Sequence, residues 1–291
     1  MRSLVHAPSK PLGDWVAAVW YFEGPEISHA MERLVPNGAM QLLVNLDSDA
    51  LRWWPEMGAA GVQQLSGAAL AGAFGRPFGI DTAQQRRMTG VSFRPGGASA
   101  FFSGSMQAFA NEHVSLSMIS GCGSIRDELL EAAHRGARAV IGTWVRFLKA
   151  RWHRQPDIHR ARGLLEAGLS VQQAADQLSV SVRKFRQDFA AWVGLSPKVY
   201  SRVHRMQQLV RVVAEDRGGD GGRRDHRDRD WASLALRHGY FDQAHMIHEF
   251  RALTGVTPMN YFPRSVEDWN HAIDDADSYN TAHDTSATKR A

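Results

Sequence analysis

Apolar and polar positions follow two different rhythms along this chain. Up to about residue 100, short runs rich in β-branched and aromatic residues alternate with turn-forming clusters. Val16–Phe22, Met40–Leu46, Leu51–Trp54 and Met88–Phe93 read as strands. Gly24-Pro25, Pro36-Asn37-Gly38, Asp47-Ser48-Asp49, Gly75-Arg76-Pro77 and Arg94-Pro95-Gly96-Gly97 punctuate them. Strands at such intervals predict a small sandwich or barrel. The period then lengthens to a helical one. Ile125–Ala133 and Ala137–Lys149 carry apolar residues at helical spacing, among them Val140, Ile141, Trp144, Val145 and Leu148. From Asp157 to the mid-260s the pattern is helical apart from one loop.

That helical part contains a repeat. A shift of 61 residues lays Phe189–Tyr200 over Phe250–Tyr261. Phe189/Phe250, Ala191/Ala252, Gly194/Gly255, Pro197/Pro258 and Tyr200/Tyr261 are identical, and Ser196/Thr257 are equivalent caps. In each copy a helix ends at glycine and Ser/Thr-Pro is placed to start another. Upstream, Val171, Ala174, Ala175 and Leu178 form the apolar face of a short helix. Ser179-Val180-Ser181 makes a turn with Ser181 as N-cap, and Val182, Phe185, Phe189 and Val193 form the buried side of the next helix. Arg183, Lys184, Arg186 and Gln187 are left outward near its beginning. In the second copy Leu234, Ala235 and Leu236 close the short helix, His238-Gly239-Tyr240-Phe241 turns, and Asp242 caps. Met246, Ile247, Phe250 and Leu253 supply the apolar side, with Gln243, Ala244, His245, His248 and Glu249 on or near the outer face.

A short helix, a tight turn and a second helix with a polar opening make a helix-turn-helix. Such a second helix fits the DNA major groove, where Arg can bond guanine, Gln adenine and Ala a thymine methyl. Between the copies, Pro197 to about Ala214 reads as one helix of roughly 18 residues, about 27 Å long at 1.5 Å per residue. Major-groove faces recur every ~34 Å, so a rod of that length could present both readers to one side of a duplex.

Charge supports this placement. The net charge is only +4, but Arg151–Arg264 holds 19 Lys and Arg against 12 Asp and Glu, or +7, and the remainder holds 15 against 18, or −3. Attraction to phosphate requires positive charge where the readers lie. The loop Asp216–Asp230 mixes five Arg with five Asp and reads as a solvated insertion, with extra phosphate contacts by Arg223 and Arg224 as the alternative. The length of 291 residues argues for two domains, and 44% hydrophobic residues is ordinary for a folded globular chain. No apolar run approaches a membrane span, and the opening residues carry no signal-peptide pattern, so a cytoplasmic protein with no membrane partner is expected. The single Cys122 excludes an internal disulfide and reads as a small buried apolar residue.

Residues 157–262 resemble the DNA-binding domain of the AraC/XylS family of transcription regulators. The matching features are Ala175-Asp176-Gln177-Leu178, the Phe189–Tyr200 segment and Arg205 of the linker helix. To these the second unit adds His238-Gly239-Tyr240-Phe241-Asp242-Gln243-Ala244-His245, Phe250-Arg251 and Gly255-Val256-Thr257-Pro258. The resemblance implies sequence-specific binding of double-stranded DNA through both second helices, controlled by the N-terminal domain. Two departures stand out: the long charged loop, and a second reader without Arg forks. Val35–Leu42 and Gly90–Ala98 resemble the small cupin-like sensor domain found in a subset of these regulators.

The expected fold is therefore α+β in two domains. Residues 1–150 form a β-rich, cupin-like sensor or dimerisation domain with trailing helices, residues 151–265 an all-α domain of two helix-turn-helix units joined by a linker helix, and residues 266–291 a polar, disordered tail. Trp20, Phe22, Trp53 and Trp54 are candidates for an effector pocket, although aromatic residues on strands more often fill a core. Trp15 belongs to the same aromatic set. His6 and His29 are too scattered for a metal site, so neither metal nor other cofactor is expected. Gly72–Gly79 lacks the Lys-Ser/Thr of a phosphate loop. No nucleophile elbow is present and no enzymatic activity is expected. Two alternatives are a DNA-alkyltransferase fusion, for which Cys122 lacks the local motif, and a non-specific architectural binder. The partners compatible with this reading, besides DNA, are a small-molecule effector, RNA polymerase and a second copy of the chain in a homodimer.

Overall fold

The computed structural model of the chain describes residues 2–25, 27, 30–56, 61–153, 158–218, 230–265 and 269–272. The N-terminal half contains two antiparallel sheets. Sheet A orders β1 (Arg2–His6), β2 (Val16–Glu23), β9 (Arg87–Phe93), β4 (Gln41–Asn45), β7 (Ala68–Ala71) and β10 (His113–Ser115). Sheet B orders β11 (His271–Ala272), β3 (Met31–Leu34), β8 (Phe78–Asp81), β5 (Leu51–Trp54) and β6 (Gln63–Leu65). The four strands expected from sequence are all present, within a residue or so at each end.

Side chains alternate across a strand, and β4 shows what that does here. Leu42 and Val44 enter a large core with Val19, Leu70 and Val91, beneath α1 (Ile125–His134) and α2 (Ala137–Arg151). Leu43, one residue over, joins Ala69, Met88 and Trp20 on the face turned to sheet B, where Leu51 meets them. Sheet A is thus the middle of three layers. Trp144 of α2 ties the helical layer to sheet A, donating its Nε1–H to Thr89 Oγ1 at 3.0 Å, while that hydroxyl donates to the Trp20 carbonyl at 2.6 Å.

Among the described residues six helices follow: α3 (Ile158–Glu166), α4 (Val171–Gln177), α5 (Val182–Val193), α6 (Pro197–Gly218), α7 (Trp231–Arg237) and α8 (Gln243–Thr254). Their starts are capped as the sequence predicts. Ser181 Oγ accepts from the Lys184 N–H at 3.2 Å, and Asp242 Oδ1 from the His245 N–H at 2.7 Å. Gly194 (φ 91°) and Gly255 (φ 81°) end α5 and α8 in the left-handed conformation that glycine adopts without penalty.

The linker helix α6 is four residues longer than the Pro197–Ala214 expectation and reaches Gly218. The equivalent Pro258 starts only a 3-10 turn, Pro258–Asn260. The copies diverge because Pro197 is followed by apolar residues at helical spacing, Val203, Met206, Val210 and Val213, whereas Pro263 interrupts the chain five residues after Pro258.

The large core does not stop at residue 150. It runs from sheet A and α2 through Ile158, Ala161 and Leu165 of α3 to Phe185, Phe189 and Val193 of α5 and on to Tyr200. Trp15 tilts against His159 at 4.7 Å, and the Arg162 guanidinium donates to the Pro95 carbonyl at 3.2 Å. A second core gathers Val203, Val210, Trp231, Met246, Phe250 and Tyr261, with Val35 as its contribution from the N-terminal half.

The expectation of a disordered tail from residue 266 needs correction for residues 269–272. There β11 pairs with β3, His271 opposite Leu34 and Ala272 opposite Arg33. The cause is a buried carboxylate. Glu32, 0% exposed, accepts from Arg264 Nη1 at 3.0 Å, lies 2.7 Å from His271 Nδ1, and accepts from Gln85 Nε2 at 3.2 Å. Tyr261 donates its hydroxyl to the Trp269 carbonyl, and Trp269 Nε1–H donates to Gln207 Oε1 at 3.1 Å. Residues 266–268 and 273–291, like most of the Asp216–Asp230 loop with Arg223 and Arg224, lie outside the described residues.

Candidate nucleic-acid interface

Each reader helix divides its residues between packing and solvent. On α5, Phe185, Phe189, Ala190 and Val193 are buried, and Arg183, Lys184, Arg186 and Gln187 are exposed. The buried side rests on the 3-10 turns Gly97–Ala100 and Met106–Phe109 of the N-terminal half, so contact with that half leaves the polar opening of α5 uncovered. Lys184 Nζ sits 2.8 Å from Asp188 Oδ2. Arg183 and Arg186 make no ion pair among the described residues, leaving two guanidinium forks for an outside acceptor.

On α8, Gln243, Ala244 and His248 are exposed. His245 is partly withdrawn: its Nδ1 accepts from the Phe241 N–H at 3.3 Å, and its Nε2 lies 3.9 Å from Glu249. Glu249 itself, placed by sequence near the outer face, is 8% exposed and bonded inward. Arg202 Nε donates to one carboxylate oxygen at 2.7 Å and Arg205 Nη2 to the other at 3.1 Å. Arg205 also donates to the Gly239 carbonyl at 3.1 Å and lies over the Tyr240 ring at 5.1 Å. The linker helix thereby holds the turn and the reader of the second unit in one network. Burial keeps the Tyr240 phenol protonated well above its ordinary range. Burial, with the charge of Arg237 second, pushes His238 down, so the turn is neutral at His238 near pH 7.

Sequence reasoning missed the anchoring role of Glu249 and Arg202. No local signal announces it, because Glu249 lies 44 residues from Arg205 and 47 from Arg202. Arg251, one helical turn after His248 on α8, is exposed as well.

The four aromatic residues named for an effector pocket do not share one lining. Trp20 packs in the small core between the sheets and donates to Ser92 Oγ at 3.2 Å, and Phe22 lies two residues along the same strand. Trp53 is buried with Phe74, Phe78 and His113, ring centroids 4.5–6.1 Å away. Trp54 alternates to the other face of β5. The His113 imidazole is pushed down to about 3 by these apolar surroundings. A cleft of about 350 Å³ opens elsewhere, between Ser99–Ser105, His153 and the Ala191-Trp192 end of α5. Among the described residues no three His, Cys, Asp or Glu side chains group to hold a metal ion, and no helix is long and apolar enough to cross a membrane. Cys122 is buried, its thiol raised by that burial.

Comparison with known proteins agrees with the geometry of the C-terminal half. A helix-turn-helix domain family matches residues 174–264, and a domain family of unknown function (DUF6597) matches residues 4–115. No curated protein matches the sequence. Solved structures similar to the chain include ToxT from Vibrio cholerae, at 7% identity and a TM-score of 0.42 over 83% of this chain and 95% of that one. Another is wild-type ToxT from Vibrio cholerae bound to unsaturated fatty acid, at 9% identity and a TM-score of 0.40 over 89% and 95%. The helix-turn-helix match covers both reader helices, in the segment whose residues resemble the AraC/XylS DNA-binding domain. The chain thus carries a helix-turn-helix domain, the fold of a DNA-binding module, with a β-rich domain preceding the readers.

Proposed function

We propose that the protein reads one promoter sequence by laying α5 and α8 into successive major-groove segments, and that the N-terminal half controls this binding through a small-molecule effector or dimerisation. The observation that carries the reading is the division of α5: its apolar side is fixed in the core shared with the N-terminal half, while Arg183, Arg186 and Gln187 stand outward at its first turns. N-terminal residues of a recognition helix are those that reach base edges. In this reading the protein catalyses no reaction, acts in the cytoplasm, and addresses RNA polymerase from its promoter site. An effector acts by favouring one arrangement of the shared core over another, which requires differential affinity for the two.

The test is selection of a site from random duplexes, followed by footprinting of the full chain at fixed salt. Two protected segments about one helical turn apart, roughly 34 Å, are expected. Equal affinity for selected and random duplexes would leave a non-specific binder in its place.

A further inference from the structure

Phe241 is the most exposed large apolar side chain among the described residues, at 84%, and Leu236 across the same turn is 64% exposed. Its counterpart 61 residues earlier, Val180, packs against the large core. The repeat therefore uses this position for packing in one copy and leaves an aromatic ring in water in the other. Phe241 directly precedes the N-cap Asp242, at the end of α8 that a helix-turn-helix presents to bases. His245 of that end is held by the Phe241 backbone and Glu249. The exposed side chains at the opening of α8 are Phe241, Asp242, Gln243 and Ala244; the Asp242 carboxylate is engaged in capping the helix, which leaves Phe241, Gln243 and Ala244 as uncharged groups for the bases.

Apolar side chains in the major groove meet one apolar feature, the thymine C5-methyl, and Gln pairs with adenine. We infer that Phe241, with Ala244, makes the second unit a reader of thymine methyl groups, so that its half-site is an A·T segment recognised by apolar contact. This rests on the groove-binding reading above. It assigns Phe241 to DNA and not to a protein partner.

The experiment uses the full-length protein and a duplex it has itself selected. Each thymine of the second half-site is replaced in turn by deoxyuridine, which lacks only the methyl. At roughly 0.8 kcal/mol per buried methyl-sized group, one replacement is expected to weaken wild-type binding about 4-fold. Phe241→Ala should weaken the thymine duplex about 5- to 20-fold and lose its response to that same replacement, the non-additivity expected of groups in contact. An unchanged melting temperature for Phe241→Ala is expected because the residue is 84% exposed. Wild-type affinity for Phe241→Ala overturns the inference, as does a deoxyuridine response equal in both proteins. Unchanged DNA binding with lost promoter activity also overturns it and gives Phe241 to a protein partner. If the wild-type chain selects no sequence, the groove-binding reading fails before Phe241 is altered, and this inference falls with it.

Discussion

The two helix-turn-helix units share caps, glycines and a buried phenylalanine, yet they are held in different ways. The first is an extension of the N-terminal domain: Phe185, Phe189 and Val193 belong to the same core as sheet A and α2. The second has a core of its own and is fixed by polar bonds, Glu249 to Arg202 and Arg205 on one side and Glu32 to Arg264 and His271 on the other. Their outward chemistry differs in parallel. The first offers Arg forks; the second offers amide, imidazole and apolar groups. A duplicated motif can therefore keep its backbone while its copies diverge in both anchoring and readout.

The most severe way to break this comparison is to empty each core. Phe189→Ala and Phe250→Ala each remove a fully buried ring and should cost about 3–5 kcal/mol. Calorimetry should show the first lowering the melting of N-terminal domain and first reader together. The second should split off an early transition confined to the second unit. A single shared transition in both variants would mean that the two cores are one cooperative body.

Next in size is readout. Arg183→Ala or Arg186→Ala should each cost about 1–3 kcal/mol at the selected site and relax its sequence there. Gln243→Ala should cost less than about 1 kcal/mol, because it removes an uncharged contact. Titrations at one salt concentration measure both, and equal losses would erase the contrast between the units.

A pH series separates the supports beneath them. His113 stays neutral in the folded chain down to about pH 3, whereas an unfolded imidazole protonates near 6.5. The unfolded state thus binds a proton that the folded state refuses. Stability should fall as pH drops through the window from 6.5 towards 3, by up to about 1.4 kcal/mol per pH unit from this group. His113→Phe should flatten that slope in denaturant titrations of the N-terminal transition and leave the second unit unaffected; an unchanged slope would assign the acid sensitivity elsewhere. The smallest effect is expected at Lys184, whose exposed pairing with Asp188 contributes roughly 0.3–0.5 kcal/mol. Lys184→Ala should shift melting barely at all, and a loss of several degrees would show a packing role.

What was legible in the sequence is what is decided locally. Ser181 and Asp242 announce helix starts because a cap needs only the residue three positions on. Leu51–Trp54 was exact because its alternation and flanking turns lie within a few residues. The missed strands lack that alternation. Ala68–Ala71 is buried throughout, between helices on one side and sheet B on the other, so it reads as a small-residue run. Arg2–His6 is an exposed edge with little apolar signal, and His113–Ser115 has three residues. The exposed reader side chains follow from helical period alone. The inward turn of Glu249 does not, since its partners lie more than 40 residues away. The pairing of His271 with Leu34 is more remote still, and no local pattern encodes a carboxylate waiting at Glu32.

The short strand His271–Ala272 has a consequence for solubility. By occupying the free side of Met31–Leu34, it satisfies backbone groups that would otherwise invite another chain to add itself to sheet B. Clipping the polypeptide after Pro263 should convert that flank into a template for self-association, so aggregation would accompany the loss before any defect in promoter occupancy could be scored.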